Sequence, residues 1–203
     1  KNMLAIWPTA YAREKKTTLL DVFTFAGAPG AYNQSVGSGA GIWWRSKSGF
    51  SVSTGHIEEK ANIAMPSKGG LFSKDSGGIT SLQVGYQTNK WALAGIYSYI
   101  RDSSQITYGT SFLTNNLGSN DQTHAYGLSG YWTPERSGMF PSISVGFGFN
   151  KSKDKNLVLK KDINTSKSWS LGFEWNDVFT EGNSTGLAIA QGVMAVDLKG
   201  DKD

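Results

Sequence analysis

Apolar and polar residues alternate through most of this chain in stretches of about ten, the period of β-strands rather than helices. Segments rich in Gly, Ser, Asn and Asp divide the stretches. The clearest pair spans 78–88 and 91–100, joined at Asn89-Lys90. Pairing Thr88 with Trp91 sets Tyr86 against Leu93, Val84 against Gly95 and Leu82 against Tyr97. Residues paired directly share one face of a sheet. One face therefore carries Leu82, Val84, Tyr86, Trp91, Leu93, Tyr97 and Tyr99, and the other Ser81, Gln83, Gly85, Gln87, Ala92, Ala94 and Ser98.

The same sorting recurs downstream. Segment 123–132 sets Tyr126, Leu128 and Trp132 against Ala125, Gly127 and Ser129, and 139–150 sets Ile143, Val145, Phe147 and Phe149 against Ser142, Ser144, Gly146, Gly148 and Asn150. Segment 166–176 sets Trp169, Leu171, Phe173 and Trp175 against Ser168, Ser170, Gly172 and Glu174; in 185–196, Leu187 and Ile189 alternate with Ala188 and Ala190. Upstream, Ile42 and Trp44 face Phe50 and Val52 across the turn 45–49. Residues 37–203 thus read as a strand meander, whereas 1–36 are less regular, with 19–25 as a strand or part of a loop. The pattern predicts an all-β chain of about eight to ten antiparallel strands.

Connection lengths add a direction. Short turns at 45–49, 89–90, 133–138 and 176–184 alternate with long polar connections at 56–77, 101–122 and 151–165. A transmembrane up-and-down β-barrel has this asymmetry, with tight turns on one rim and loops on the other. A β-sandwich with Greek-key crossings has no reason to keep it. Of the long connections, 56–77 and 101–122 are candidates for folding inward as a constriction, and the charged stretch 151–162 reads as a solvated loop at a pore mouth.

Composition narrows the classes. A chain of 203 residues is one domain, or a section of one. Charged residues at 18% and aromatics at 12% are too few and too many, respectively, for disorder. No apolar run reaches the length of about 18 residues that a membrane-spanning helix needs. The hydrophobic share of 38% does not count against a barrel, because lipid-facing and lumen-facing residues average out. The absence of cysteine excludes disulfide frameworks and thiolate chemistry, and two histidines, His56 and His124, argue against a histidine-rich metal centre. A formal charge of +4 gives little support to nucleic-acid binding. No secretory signal pattern is present, and a chain opening at Lys1 is read as processed or partial.

The second face is small, polar and almost uncharged, which suits a wet lumen better than a solvated protein surface. Its candidate pore-lining residues are Trp43, Ser51, Ser53, Gln83, Gln87, Ser98, Ser129, Tyr131, Ser144, Asn150, Ser170 and Glu174. The aromatics Trp91, Tyr97, Tyr99, Tyr126, Trp132, Trp169 and Trp175 concentrate near strand ends on the apolar face, as in the girdles at membrane interfaces. A soluble β-sandwich binding module, the alternative, would instead bury those aromatics as core.

Motifs for catalysis are weak, and no enzyme is expected. A serine hydrolase needs Ser and His within hydrogen-bond reach. The pairing puts His124 on the apolar face near Phe147, and His56 falls in a long loop without a patterned serine. Ser152-Lys153-Asp154-Lys155 matches S-x-x-K in a charged stretch that offers no buried lysine. The glycine-rich 37–41 lacks the helix and the Lys-Thr ending of a phosphate loop. Neither a metal nor a cofactor is expected.

Several phrases carry a family resemblance. GSGAGIWW precedes a turn and GFSVST; GGLFSKDSGGITSLQVGYQTNKWALAGIYSYI follows, then HAYGLSGYWTPERSGMFPSISVGFGF, SWSLGFEWNDVF and GNSTGLAIAQ. Over roughly 37–196 the chain resembles cyanobacterial outer-membrane porins of the carbohydrate-selective porin B (OprB-like) family. The resemblance implies a barrel of about sixteen or more strands, embedded in outer-membrane lipid and often trimeric, passing sugars or inorganic ions, iron among them. It also implies an N-terminal domain that binds cell-wall polymer, which is not present here. The chain departs from the family in length and in its charged end at 199–203, so it is expected to cover a middle-to-C-terminal section of one barrel domain. A self-contained eight-stranded barrel, whose lumen would be filled with side chains, is the other possibility. The expected function is passive diffusion of small hydrophilic solutes, with a structural outer-membrane anchor as the alternative.

Overall fold

The computed structural model describes residues 4–10, 21–32, 37–63, 65, 67–70, 73, 76–102, 106, 109–117, 122–135, 140–153 and 162–199. Its elements are a short helix α1 (Asp21–Thr24), strands β1 (Ser38–Arg45), β2 (Phe50–Glu58), β3 (Gly78–Gln87) and β4 (Trp91–Arg101), a helix α2 (Ser111–Asn116), and strands β5 (Gln122–Trp132), β6 (Ser142–Lys153), β7 (Asp162–Asn176) and β8 (Ser184–Lys199). The strands form one sheet in the order β1 to β8, each antiparallel to the next. This is the up-and-down meander that the alternation predicts. It is open: β1 and β8 are its edges and do not pair with each other.

Register follows from the side-chain period of two, since a slip of one residue would exchange the faces. The β3–β4 ladder pairs Tyr86 with Leu93, Val84 with Gly95 and Leu82 with Tyr97, as the sequence pattern requires. Thr88 closes the hairpin, its N–H donating to the Trp91 carbonyl at 2.8 Å and its hydroxyl accepting from the Trp91 N–H. In β1–β2, Trp44 pairs with Val52, while Ile42 pairs with Thr54 rather than lying against Phe50. His124 pairs with Tyr99 and Lys151, four residues along β6 from the level expected near Phe147.

Several expected boundaries shift. The charged 151–162 is not all loop: Lys151, Ser152 and Lys153 extend β6 and Asp162 begins β7, leaving 154–161 outside the described residues. The alternation of short and long connections is therefore less strict than expected. His56 lies in β2 and not in a loop. Of 19–25, residues 21–24 are helical.

The two faces of the sheet are filled unequally. Residues 4–10 and 23–32 lie over one face, here called the inner face. There Phe25, Ala26, Ala28, Ala31 and Tyr32 join the inward Ile79, Ile96, Ile100, Ala125 and Ile163 in one buried cluster. The connection 102–121 contributes Ile106, Leu113 and Leu117 to this cluster. Thr110 caps α2, its hydroxyl accepting from the Leu113 N–H, and its own N–H reaches the Val193 carbonyl on β8 at 2.8 Å.

Candidate functional site

Burial is inverted relative to a water-soluble sheet. Leu82, Leu93 and Leu128 are 46%, 50% and 57% exposed, whereas Gln83, Ser98 and Ser129 are 1%, 0% and 1%. Large apolar side chains thus cover the outer face, and hydroxyls and amides are packed away within.

Following the register across the strands sorts the outer face into rows. At the tight-turn end lie Trp91, Trp132, Ile143, Phe173 and Leu187. Phe50, Tyr86, Leu93, Val145, Leu171 and Ile189 come next, then Trp44, Val52, Val84, Leu128, Phe147 and Trp169. A last apolar row holds Ile42, Leu82, Tyr97, Tyr126 and Phe149, with Lys167 beside Phe149. Rows are two residues apart, about 6.8 Å along a strand, so the band is on the order of 20 Å tall. Above it the row changes to His56, Thr80, Tyr99, His124 and Lys151. His56 there meets Thr80 Oγ1 through Nδ1 at 2.8 Å and Glu58 Oε1 through Nε2 at 3.0 Å. Arg101 binds the same Glu58 carboxylate and donates to the Ser73 carbonyl at 2.8 Å, tying Ser73 to the ends of β2 and β4.

The expected girdle residues all lie on this outer face, at different depths. Trp91 and Trp132 stand at the tight-turn border, Trp175 beyond it opposite Thr185, and Tyr97, Tyr99 and Tyr126 at the loop border. Trp169 sits between, level with Phe147.

The inner face gathers most of the expected lining residues beneath the N-terminal segments. Ser53 Oγ accepts from the Ala5 N–H at 3.2 Å. Gln83 clamps Ile6, accepting from its N–H through Oε1 at 3.4 Å and donating Nε2 to its carbonyl at 3.1 Å, and also reaches the Tyr32 hydroxyl at 3.3 Å. Ser98 donates to the Ala31 carbonyl and Ser129 to that of Ala26, both at 2.6 Å, and Ser144 accepts from the Ala10 N–H at 2.9 Å. Asn150 packs against Gly30 and donates to Ser166 at 3.1 Å. Ser51 donates to the Gly85 carbonyl at 3.2 Å, and Gln87 to Tyr131 at 2.9 Å. Ser170 and Glu174 are buried further across on β7, whereas Trp43, on edge strand β1, is exposed.

Sequence reasoning missed the partner of this face. The run Ala26-Gly27-Ala28-Pro29-Gly30-Ala31 lies flat on Gly127, Gly146 and Gly148, and a Cβ at Gly146 would stand 1.8 Å from the Ala26 carbonyl oxygen. Ser168 adds a bond of 2.9 Å to the Gly27 carbonyl. A run of small residues matching a glycine stripe elsewhere is the available signal. Burial pushes the Tyr32 hydroxyl up to about 12, against smaller opposing effects of its hydrogen bonds with Gln83 and Ser129.

Among the described residues, no group of three or more His, Cys, Asp or Glu side chains is placed to hold a metal ion. Ser152, the first residue of the S-x-x-K match, is buried and hydrogen-bonded to Thr123 at 2.8 Å. Residues 38–41 of the glycine-rich stretch are strand β1. The fold and its faces define an eight-stranded antiparallel meander with large apolar side chains outside and a mixed interior, where buried Ser, Gln and Asn lie beside an apolar cluster. No family model matches the chain, and no curated protein or solved structure matches it.

Proposed function

We propose that this chain is wall of an outer-membrane porin, giving passive diffusion of small hydrophilic solutes through a water-filled β-barrel. The observation that carries the reading is the inverted burial: rows of exposed Leu, Val, Phe and Trp outside, with Ser, Gln and Asn inside. In water such a face would cost its apolar area, whereas in a bilayer it meets hydrocarbon. The family resemblance of the strand phrases supports the same reading. Transport of this kind needs no nucleophile or cofactor, because width and charge at a constriction select the solute. No catalytic role is proposed, and sugars and inorganic ions both remain within the reading.

Open edges at β1 and β8 do not persist in hydrocarbon, where every backbone group needs a partner. On this reading β1 and β8 are closed by further strands or by each other, and the family resemblance makes a trimer the expected assembly. Cell-wall polymer would be held by a domain outside this chain.

A second reading is a structural anchor with little transport. It is favoured by one observation, the cover of residues 4–10 and 21–32 over the inner face. Planar-bilayer recording separates the two. Reproducible conductance steps are expected of the porin; a detergent-requiring chain that gives none would be the anchor. A chain that stays monodisperse without detergent would overturn both.

A further inference from the structure

We propose that the loop-end border of the outer face, on β5 to β7, is a docking surface for the phosphate groups of lipid headgroups. It rests on the membrane reading above and assigns that border a partner. Lys151 and Lys153 of β6 and Lys167 of β7 project from the same face as Phe147 and Phe149. All three are exposed, and none has an ion-pair partner among the described residues. Lys167 pairs with Phe149 in the last apolar row, and Lys151 stands one row higher, between His124 and Thr165. Diagonal neighbours on adjacent strands are about 7–8 Å apart, so two flexible ammonium groups can bracket a single phosphate there. Lys153 continues the column one row above, opposite Gln122.

The position suits a headgroup and not a solute in the pore. Lysine stems can lie along the apolar rows while their charges rise to the border. Beside them, His124 lies 5.1 Å from the Tyr99 ring and bonds the Tyr97 hydroxyl at 2.8 Å, an aromatic ledge of the kind that sits at headgroup depth. A solvated strand would intersperse acids among these lysines. Here the described acids nearest in register are Asp162, which begins β7 opposite Lys199, and Asp197, opposite Thr165 and already bonded by Asn164. The opposite border carries less free charge: its row is Trp91, Trp132, Ile143, Phe173 and Leu187, the rim lysine Lys90 is paired with Glu135, and Lys47 stands exposed in the turn 46–49. Charge complementarity therefore distinguishes one leaflet from the other.

The test is equilibrium partitioning of the complete barrel protein that contains this chain from urea into two kinds of vesicle, read by flotation at low salt. One kind is phosphatidylcholine alone; the other is doped with phosphatidic acid, whose headgroup ends in a bare phosphate. The wild-type chain is expected to favour the doped vesicles. Lys151→Gln, Lys153→Gln and Lys167→Gln together should lower that preference by about fivefold per lysine removed, leaving entry into phosphatidylcholine unchanged. Lys90→Gln should leave both as they are, and raising the salt to about 1 M, where the screening length is about 3 Å, should erase the difference between wild type and triple variant. Entry into both vesicles with a preference that survives the triple substitution overturns the headgroup surface alone. Entry into neither overturns the membrane reading, and the headgroup surface with it.

Discussion

Two surfaces of the same strands solve opposite packing problems. On the outer face of β3 to β6, Leu82, Leu93, Leu128 and Val145 stand exposed beside their register neighbours, and nothing among the described residues covers them. On the inner face, Gly127, Gly146 and Gly148 allow another stretch of backbone to lie at contact distance, and serine hydroxyls take its carbonyls. The inner face is buried where its side chains are small enough to admit main chain, and the serine hydroxyls so removed from water at 98, 129 and 168 find backbone carbonyls, as buried hydroxyls must. The outer face offers bulk, and its side-chain hydrogen bonds, such as Tyr97 with His124 and His56 with Thr80, gather toward the loop end. Size and polarity thus assign one face to the interior, and on the reading proposed above the other meets an apolar solvent.

The largest effect should come from placing charge on the outer face. Leu93→Arg, at the level of Val145 and Tyr86, should cost about 2–4 kcal/mol of bilayer stability, read as the shift of the urea midpoint in lipid vesicles. Leu93→Ile should cost little. An equal response to the two would dissolve the contrast between the faces.

A pair of glycines then sharpens it. Gly146→Val drives side-chain atoms into the Ala26 carbonyl and should cost about 3 kcal/mol through overpacking. Gly95→Val, where no atom lies within 4 Å of the added Cβ, should move stability by about 0.5 kcal/mol at most. Urea unfolding in one detergent would compare them, and a Gly146 variant as stable as the Gly95 variant would contradict the close approach of residues 26–27.

The smallest effect concerns Tyr32 and is silent at neutral pH. Its hydroxyl is raised from 10.0 to about 12 on folding, so the neutral form is favoured in the native state. The associated stability is fully present below pH 10 and is lost as pH rises through 12. Unfolding midpoints should therefore fall between those values. Tyr32→Phe should flatten that limb while losing the bond from Gln83, and an unaltered alkaline limb in the variant would assign it to another group.

The sheet was legible because its outer rows alternate without interruption: Leu82, Val84 and Tyr86 against Leu93, Gly95 and Tyr97 admit one register. The covering of the inner face was not. Residues 26–31 have no period of their own, and what identifies them is the surface they touch. Charge also misled the reading of strand ends. Lys151 and Lys153 were expected in a loop, but a lysine above an apolar band can stay in a strand with its ammonium group at the border. Inward Ile79, Ile96, Ile100 and Ile163 show a further departure, since near the loop end the interior is itself apolar. Two patterns superposed along one strand hide each other in a sequence.

The central claim is that the outer face meets hydrocarbon. Tryptophan quenching by bromine placed midway along lipid chains tests it most directly, using one variant that keeps Trp169 alone and another that keeps Trp7 alone, the other tryptophans being phenylalanine. Trp169 stands exposed in a middle row of the outer face, and Trp7 packs within, its ring 5.3 Å from that of Tyr32. The account predicts strong quenching of Trp169 and little of Trp7; equal quenching of both, or an unquenched Trp169, would contradict it.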